Sequence, residues 1–217
     1  MAVGEANRRL ILVPIVHTQE DMGGLREAVR RLYIQRHGLR RWEAHVRAIE
    51  SLWRNIRARI DSLGLDFRHV RLYQDGLPVC GKEETIVADL ARAGSLNHRL
   101  VVDLMTRGAK LTGTESPKLL VEEYQAALGL LGEAPKSEKP ESAAEFDRQS
   151  RSLLERRDRF IADRIDETLL PGETGLIFLG MFHRLLGGLP PDIASTTLDA
   201  PIPEGLGMVE KKPVGSD

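Results

Sequence analysis

The sequence is poor in cysteine, which excludes a disulfide or zinc scaffold. Its 217 residues include a single cysteine, Cys80, so no internal disulfide can form, and no group of cysteine and histidine has zinc-finger spacing. A chain of this kind suits a reducing compartment. We therefore predict a cytoplasmic protein, with Cys80 packed in the fold.

Long hydrophobic runs are also lacking. No segment approaches the roughly 20 apolar residues of a membrane span. The run LILVPIV at 10–16 follows two arginines, as the apolar part of a signal peptide would. However, it contains Pro14, is followed at once by His17, and has no small-residue cleavage site after it. We interpret the run as a buried strand and predict a soluble protein.

No charge of one sign predominates. The chain has 32 acidic and 31 basic residues, for a formal net charge of -1. This balance predicts neither nucleic acid nor an anionic membrane surface as a partner, although it leaves a local basic patch open. The G-x-S-x-G elbow, the Walker loop and the Rossmann glycine triplet are absent from the sequence. Their absence argues against a serine α/β-hydrolase, an NTPase and a nucleotide-dependent dehydrogenase, and we expect no nucleotide cofactor.

The patterns that are present alternate between short strands and longer helices. Besides the first run, β-prone segments lie at 69–75, 109–115 and 175–183. Helical patterns cover 21–36, a long segment that stops at Gly64, 83–92, 95–107, 116–131 and 142–170. Strands separated by helices predict an α/β fold with a mostly parallel central sheet flanked by helices.

One helical segment carries a continuous apolar seam. Alternating steps of four and three place these residues on one side of the helix: Trp42, Val46, Ile49, Trp53, Ile56, Ile60 and Leu63. In a chain with few aromatic residues, we expect the two tryptophans in the protein's own core. If the seam were exposed, it would instead indicate a protein interface.

The chain is predicted to form a single α/β domain over residues 1–186. Residues 132–145 are charged, contain proline and are poor in apolar residues, which indicates a mobile linker or lid between two helices. From Gly187 the sequence is rich in proline and glycine and shows no periodicity. We therefore predict an irregular C-terminal segment over 187–217.

Titratable residues follow each strand-like run. His17 and Glu20 follow the first run, and Asp75, Glu115 and His183 close the other three. Because the carboxyl ends of parallel strands share one edge, we predict that these groups meet there in a cleft. Such a set could supply a divalent-metal site or an acid–base pair. The alternative is that the carboxylates serve helix N-termini and the histidines bond to backbone carbonyl groups.

A further candidate lies on the helix before the last strand-like run. Arg157 precedes the small residue Ala162 by five positions, and a small residue lets this helix approach the sheet. Arg157 could then reach the cleft as a planar donor for a carboxylate, a phosphate or a developing oxyanion. Its alternative role is an exposed, salt-bridged arginine. The remaining histidines are predicted to be surface residues: His37, His45, His69 and His98.

Several of these residues stand in short motifs that resemble one superfamily. Gly180-Met181-Phe182-His183 matches the G-x-x-H motif of the TraB/Tiki group, and residues 157–162, RDRFIA, are similar to the Arg-Asn/Asp-x-x-Met-Ala helix that precedes it. Erythromycin esterase-like proteins share an Arg-Asp-x-x-x-Ala helix followed by a strand and a histidine, and haem-associated ChaN-like proteins belong to the same broad group. At the first strand, Pro14-Ile15-Val16-His17 keeps the histidine of a G-x-x-H motif but not its glycine.

The strand ends extend the resemblance and also depart from it. Gly113-Thr114-Glu115 is similar to the strand-terminal glutamate of the group, whereas Tyr73-Gln74-Asp75 stands where a Glu-Arg pair is more usual. The resemblance implies a central sheet with helices on both faces and a cleft at one edge. It also implies hydrolysis: of peptides with a divalent metal in Tiki-like members, and of esters in erythromycin esterase-like members.

Two mechanisms are compatible with these residues. In the first, His17, Glu115 and His183 hold Mn, Co, Zn or Fe, Glu20 or Asp75 takes a proton from the bound water, and Arg157 stabilises the oxyanion. In the second, His17 or His183 activates water without a metal, oriented by a carboxylate.

The chain is thus predicted to be a hydrolase that acts on a small molecule or a peptide. The alternative is a non-catalytic module of the same fold that binds haem or another ligand, or that joins a protein partner. A homo-oligomer stays open, because nothing in the sequence fixes the number of subunits.

Overall fold

The computed structural model describes residues 7–16, 26–131, 143–201 and 203. Within them, one parallel sheet has the strand order β3-β2-β4-β1-β5. Its strands are β1 (Arg8–Ile15), β2 (Val70–Gln74), β3 (Lys110–Thr112), β4 (Thr174–Gly180) and β5 (Ile193–Thr197). The predicted α/β class with a parallel central sheet is confirmed.

The helices lie close to the predicted segments. They are α1 (Arg26–His37), α2 (Leu39–Ser62), α3 (Glu83–Arg92), α4 (Leu96–Thr106), α5 (Pro117–Leu131) and α6 (Ala143–Thr168). Gly64, where the long α2 pattern was expected to stop, has a left-handed φ of 62°, a conformation that glycine adopts without strain. Sequence periodicity therefore located the helices well.

The sheet is covered on both faces, because alternate residues of its buried strands enter two separate cores. Leu176 and Phe178 of β4 pack with α2, α3 and α4, whereas Ile177 and Leu179 pack with α6. Most of the α2 seam belongs to the first core, including Trp53, which is 4% exposed. Trp42 is also buried, at 9% exposed, and its ring packs against Tyr33. The expectation that both tryptophans lie in the protein's own core is confirmed.

The C-terminal segment departs from the prediction. Residues 187–217 were expected to be irregular, but β5 pairs with β1 in parallel from Arg8↔Ile193 to Leu12↔Thr197. The domain therefore continues past residue 186. Arg8 of β1 connects the C-terminal segment to α6. Its guanidinium lies 2.7 Å from Asp166 at the end of α6 and 2.7 Å from Asp192 before β5.

Some predictions fall on residues that the structure does not describe. His17 and Glu20 lie outside the described residues, as does most of the predicted linker or lid at 132–145; its last three residues begin α6. Cys80 is exposed rather than packed. Among the described helices, none is long and apolar enough to cross a membrane.

Candidate active site at the carboxyl edge of the sheet

The structure brings together four of the six predicted site residues. Asp75 follows β2, Glu115 follows β3, His183 follows β4, and Arg157 reaches them from α6. The four side chains are connected by direct contacts at the carboxyl edge of the sheet. This convergence of strand ends is the arrangement that the order of motifs predicted.

Backbone contacts fix the position of Glu115. The backbone N–H groups of Thr114 and Glu115 donate to the carbonyl of Leu77 at 3.0 and 2.9 Å. Gly113 permits this approach, since a Cβ there would lie 2.9 Å from Cα of Val79. The Glu115 side chain is completely buried, and its Oε1 accepts from the backbone N–H of Gly76 at 2.8 Å.

Asp75 lies between the other charged groups. Its backbone N–H donates to the carbonyl of Phe178 on β4 at 2.9 Å, which extends the β2–β4 pairing by one residue. Its Oδ2 accepts from the backbone N–H of Gly180 at 2.9 Å. Its Oδ1 accepts from Nη2 of Arg157 at 2.7 Å. Asp75 therefore receives donors from β4 and α6 at once.

Arg157 is held by carboxylates. Its Nε and Nη2 donate to the two oxygens of Glu115 at 2.6 Å each, Nη2 also donates to Asp75, and Nη1 contacts Glu123 of α5. Burial opposes the charge, but the bonds to Glu115 and the charges of Glu115, Asp75 and Glu123 raise the pKa of Arg157 above its usual value. Arg157 thus organises the carboxylates, and these contacts differ from the expected role as oxyanion donor.

The buried Glu115 carboxyl depends on this arginine. Burial raises the pKa of Glu115 above its usual value, and the Arg157 guanidinium opposes that increase. Without the guanidinium, the completely buried carboxylate would lack its only described cationic partner. A buried charge of this kind takes up a proton or destabilises the fold.

His183 is held between two aspartates. Its Nδ1 lies 2.5 Å from Oδ1 of Asp158 on α6, and its Nε2 lies 3.5 Å from Oδ2 of Asp75. The other Asp158 oxygen accepts from the backbone N–H of Arg184 at 2.8 Å, which fixes the carboxylate. Burial opposes the charged ring, yet the bonds to Asp158 and Asp75 raise the pKa of His183 to about 9. At neutral pH the ring is therefore an imidazolium.

The site opens into a cavity of about 530 Å³. Asp75, Arg157 and His183 line it together with Glu123 and His98. The remaining walls are largely apolar and include Leu90, Leu120, Tyr124, Ala127, Leu154 and Phe182. A few convergent polar groups in an apolar cavity are typical of a small-molecule site.

Three residues of the site were not predicted as such. His98 was expected on the surface, but it is 5% exposed and lines the cavity. Its Nδ1 lies 2.7 Å from Oγ of Ser95. Ser95 also caps α4, so the S-x-x-H spacing was the available signal. Asp158 was part of the Arg-Asp motif but was given no role. Glu123 was not considered, because it stands in the middle of α5 and not at the end of a strand.

Two of the three predicted metal ligands, Glu115 and His183, have contacts that compete with a metal. Both oxygens of Glu115 are bonded to Arg157, and the two ring nitrogens of His183 face aspartates. A metal at His183 would have to displace a proton from the imidazolium, since ligation requires a neutral ring. No group of metal-ligating side chains occurs among the described residues. His17 lies outside them, so a metal held by this set stays a prediction.

Comparison with protein-family models, with curated proteins and with solved structures finds no match to this chain in any of the three. The resemblance to the TraB/Tiki and erythromycin esterase-like superfamily therefore stays a prediction that depends on the motifs alone.

Proposed function

We propose that this protein is a cytoplasmic hydrolase that uses the His183–Asp158 pair and Asp75 to cleave an ester or peptide bond without a metal. The observation that supports this proposal is the position of His183. Its Nδ1 is fixed by Asp158 at 2.5 Å, while its Nε2 faces Asp75 beside the cavity. A histidine that is oriented by a carboxylate at one ring nitrogen, with a second acid–base group and a cavity beside the other, is suited to proton transfer.

The protonated state of His183 makes it the acid of the reaction. As an imidazolium at neutral pH, it donates the Nε2 proton to the leaving oxygen or nitrogen. Asp75 takes a proton from the attacking water, whose hydroxide adds to the carbonyl carbon. The proton then passes from Asp75 to His183 across their 3.5 Å contact, which restores both groups. Arg157 contacts Asp75 and acts as a positioning residue.

The charges and walls of the cavity favour a substrate with an uncharged, apolar body. Arg157 and His183 are the described cations of the cluster, and four carboxylates contact them: Asp75, Glu115, Glu123 and Asp158. An anionic phosphate or carboxylate in the substrate would be repelled by this excess of negative charge. The apolar walls instead favour an alkyl or aryl group.

Ligand binding without turnover is the second candidate. It is favoured by the same contacts, because Arg157 and His183 are already paired with carboxylates in the structure. In this case the cavity would hold an uncharged, apolar molecule, and no bond would be cleaved. Haem, the ligand named for the alternative in the sequence analysis, fits less well, because its two propionates would meet the same excess of negative charge.

The first test is hydrolysis of p-nitrophenyl butyrate and of a peptide-4-nitroanilide panel by the purified protein, with EDTA and in parallel with added Mn, Co, Zn or Fe. We expect ester or amide turnover that EDTA does not abolish. Turnover that requires an added metal would contradict the metal-free mechanism. Saturable binding of the ester without release of nitrophenol would support the binding module instead.

A further inference from the structure

The chain has a concentrated basic region that its near-neutral net charge conceals. Residues 28–42 include five arginines and no acidic residue. The region spans most of α1 and the start of α2, which meet at Gly38 with a left-handed φ of 83°. We call the exposed arginines and leucines of this region the arginine corner: Arg31, Leu32, Arg36, Leu39, Arg40 and Arg41.

The arginines of the corner have no acidic partner in the described part of the chain. No ion pair is formed there by Arg31, Arg36, Arg40 or Arg41, and the first turn of α2 has no acidic residue. Other exposed arginines do find partners, such as Arg57 with Asp103 and Arg107 with Asp61, at 2.7 and 2.6 Å. Like charges that are crowded and unpaired repel one another. An external anion would relieve this repulsion.

Two exposed leucines lie among these arginines. Leu39 is 51% exposed and Leu32 is 37% exposed. Leu32 and Arg36 are one helical turn apart and so share a side of α1. Exposed leucine beside arginine on a helical surface is typical of segments that rest in the interface of an anionic membrane.

Nucleic acid fits the corner less well than a lipid surface does. The region includes Tyr33, whose ring stacks on His45 with centroids 5.2 Å apart and meets the ring of the buried Trp42 edge-on at 5.3 Å. It also contacts His37 at 4.8 Å. The ring is thus engaged within the protein, whereas single strands are bound by free aromatic faces.

We propose that the arginine corner docks this protein on an anionic phospholipid surface. The guanidinium groups would bind lipid phosphates, for which their planar donors are suited, while Leu32 and Leu39 enter the interfacial region. This attachment is peripheral and does not depend on the hydrolase proposal, because the corner shares no residue with the cavity.

Vesicle co-sedimentation of the full chain tests this inference. Vesicles of phosphatidylcholine are compared with vesicles that also contain phosphatidylglycerol, at low and high salt. We expect binding only to the anionic vesicles, with a loss at high salt. Each basic residue near an anionic surface contributes roughly a fivefold change in partitioning. The variant Arg36→Gln/Arg40→Gln/Arg41→Gln should therefore bind on the order of 100-fold more weakly.

The matched control removes the same charge from another exposed region. Arg148, Arg151 and Arg159 of α6 are exposed, and the variant with glutamine at all three should keep anionic binding within a few-fold of the wild type. The variant Leu32→Ser/Leu39→Ser, with its charges intact, should also bind more weakly. Circular dichroism confirms that each variant is folded.

Three results would overturn the proposal. The first is equal sedimentation with neutral and anionic vesicles. The second is an equal loss of binding in the corner variant and the α6 variant, since that result would reflect net charge alone. The third is binding to a single-stranded or duplex oligonucleotide but not to anionic vesicles, which would assign the corner to nucleic acid.

Discussion

The substitution Arg157→Met is expected to lower the free energy of unfolding by about 3–5 kcal/mol, the usual cost of removing one partner from a buried ion pair. The side chains of Arg157 and Asp75 are each 5% exposed, and that of Glu115 is completely buried. Methionine fills a similar volume but leaves both carboxylates without the guanidinium. Urea unfolding measures the change.

The loss of unfolding free energy in Arg157→Met should also become smaller as the pH falls. In the variant, Glu115 retains the burial that raises its pKa but loses the opposing guanidinium, so its pKa rises further. As the pH falls, the carboxyl takes up a proton in the folded state and its buried charge disappears. The stability difference between variant and wild type should therefore narrow at acidic pH.

The adjacent residue supplies the control. Arg156 also forms an ion pair, 2.7 Å from Glu122, but the two side chains are 48% and 32% exposed. Because exposed ion pairs contribute little, Arg156→Met should cost less than about 1 kcal/mol. Equal effects of the two substitutions would contradict a buried, Arg157-centred cluster.

The substitution His183→Gln should reduce the rate of ester hydrolysis by about 10²–10⁴-fold, the usual contribution of a positioned acid or base. Glutamine can fill the position of the ring, but it cannot transfer a proton. We expect the loss in kcat rather than in KM, because the apolar walls that hold the substrate are unchanged. Steady-state kinetics with p-nitrophenyl butyrate separates the two.

A second histidine controls for a general effect of the substitution. The side chain of His69 also contacts an aspartate, Asp66 at 3.2 Å, but it is 69% exposed. His69→Gln should therefore leave turnover unchanged. If the folded His183→Gln variant turned over the ester as fast as the wild type, His183 would have no part in the mechanism.

Much of the fold could be predicted because its elements have strong periodicity. The α2 seam repeats over the whole helix, and β4 is so apolar that its burial is evident from the sequence alone. β5 was missed because IASTT is short and its residues after Ile193 are exposed, so it has little hydrophobic signal. It is an edge strand, whose pairing with β1 is a tertiary effect.

The site could be predicted only in part. Asp75, Glu115 and His183 follow strands, and parallel strands bring their carboxyl ends to one edge whatever the side chains are. The partners of these residues depend on how the helices pack. Nothing in the spacing along the chain shows that Asp158 lies beside His183, that Glu123 lies beside Arg157, or that His98 faces inward.

The most direct test of this account is the pKa of His183, measured by NMR titration of the imidazole nitrogens in the wild-type protein. We predict a pKa of about 9, raised from an ordinary value of 6.5 by Asp158 and Asp75. Because the folded-state pKa is raised, the stabilisation from the imidazolium is fully present below about 6.5 and is lost as the pH rises through about 9. A pKa near 6.5 would show that the ring is not held by the two aspartates, and it would contradict the acid role on which the proposed function depends.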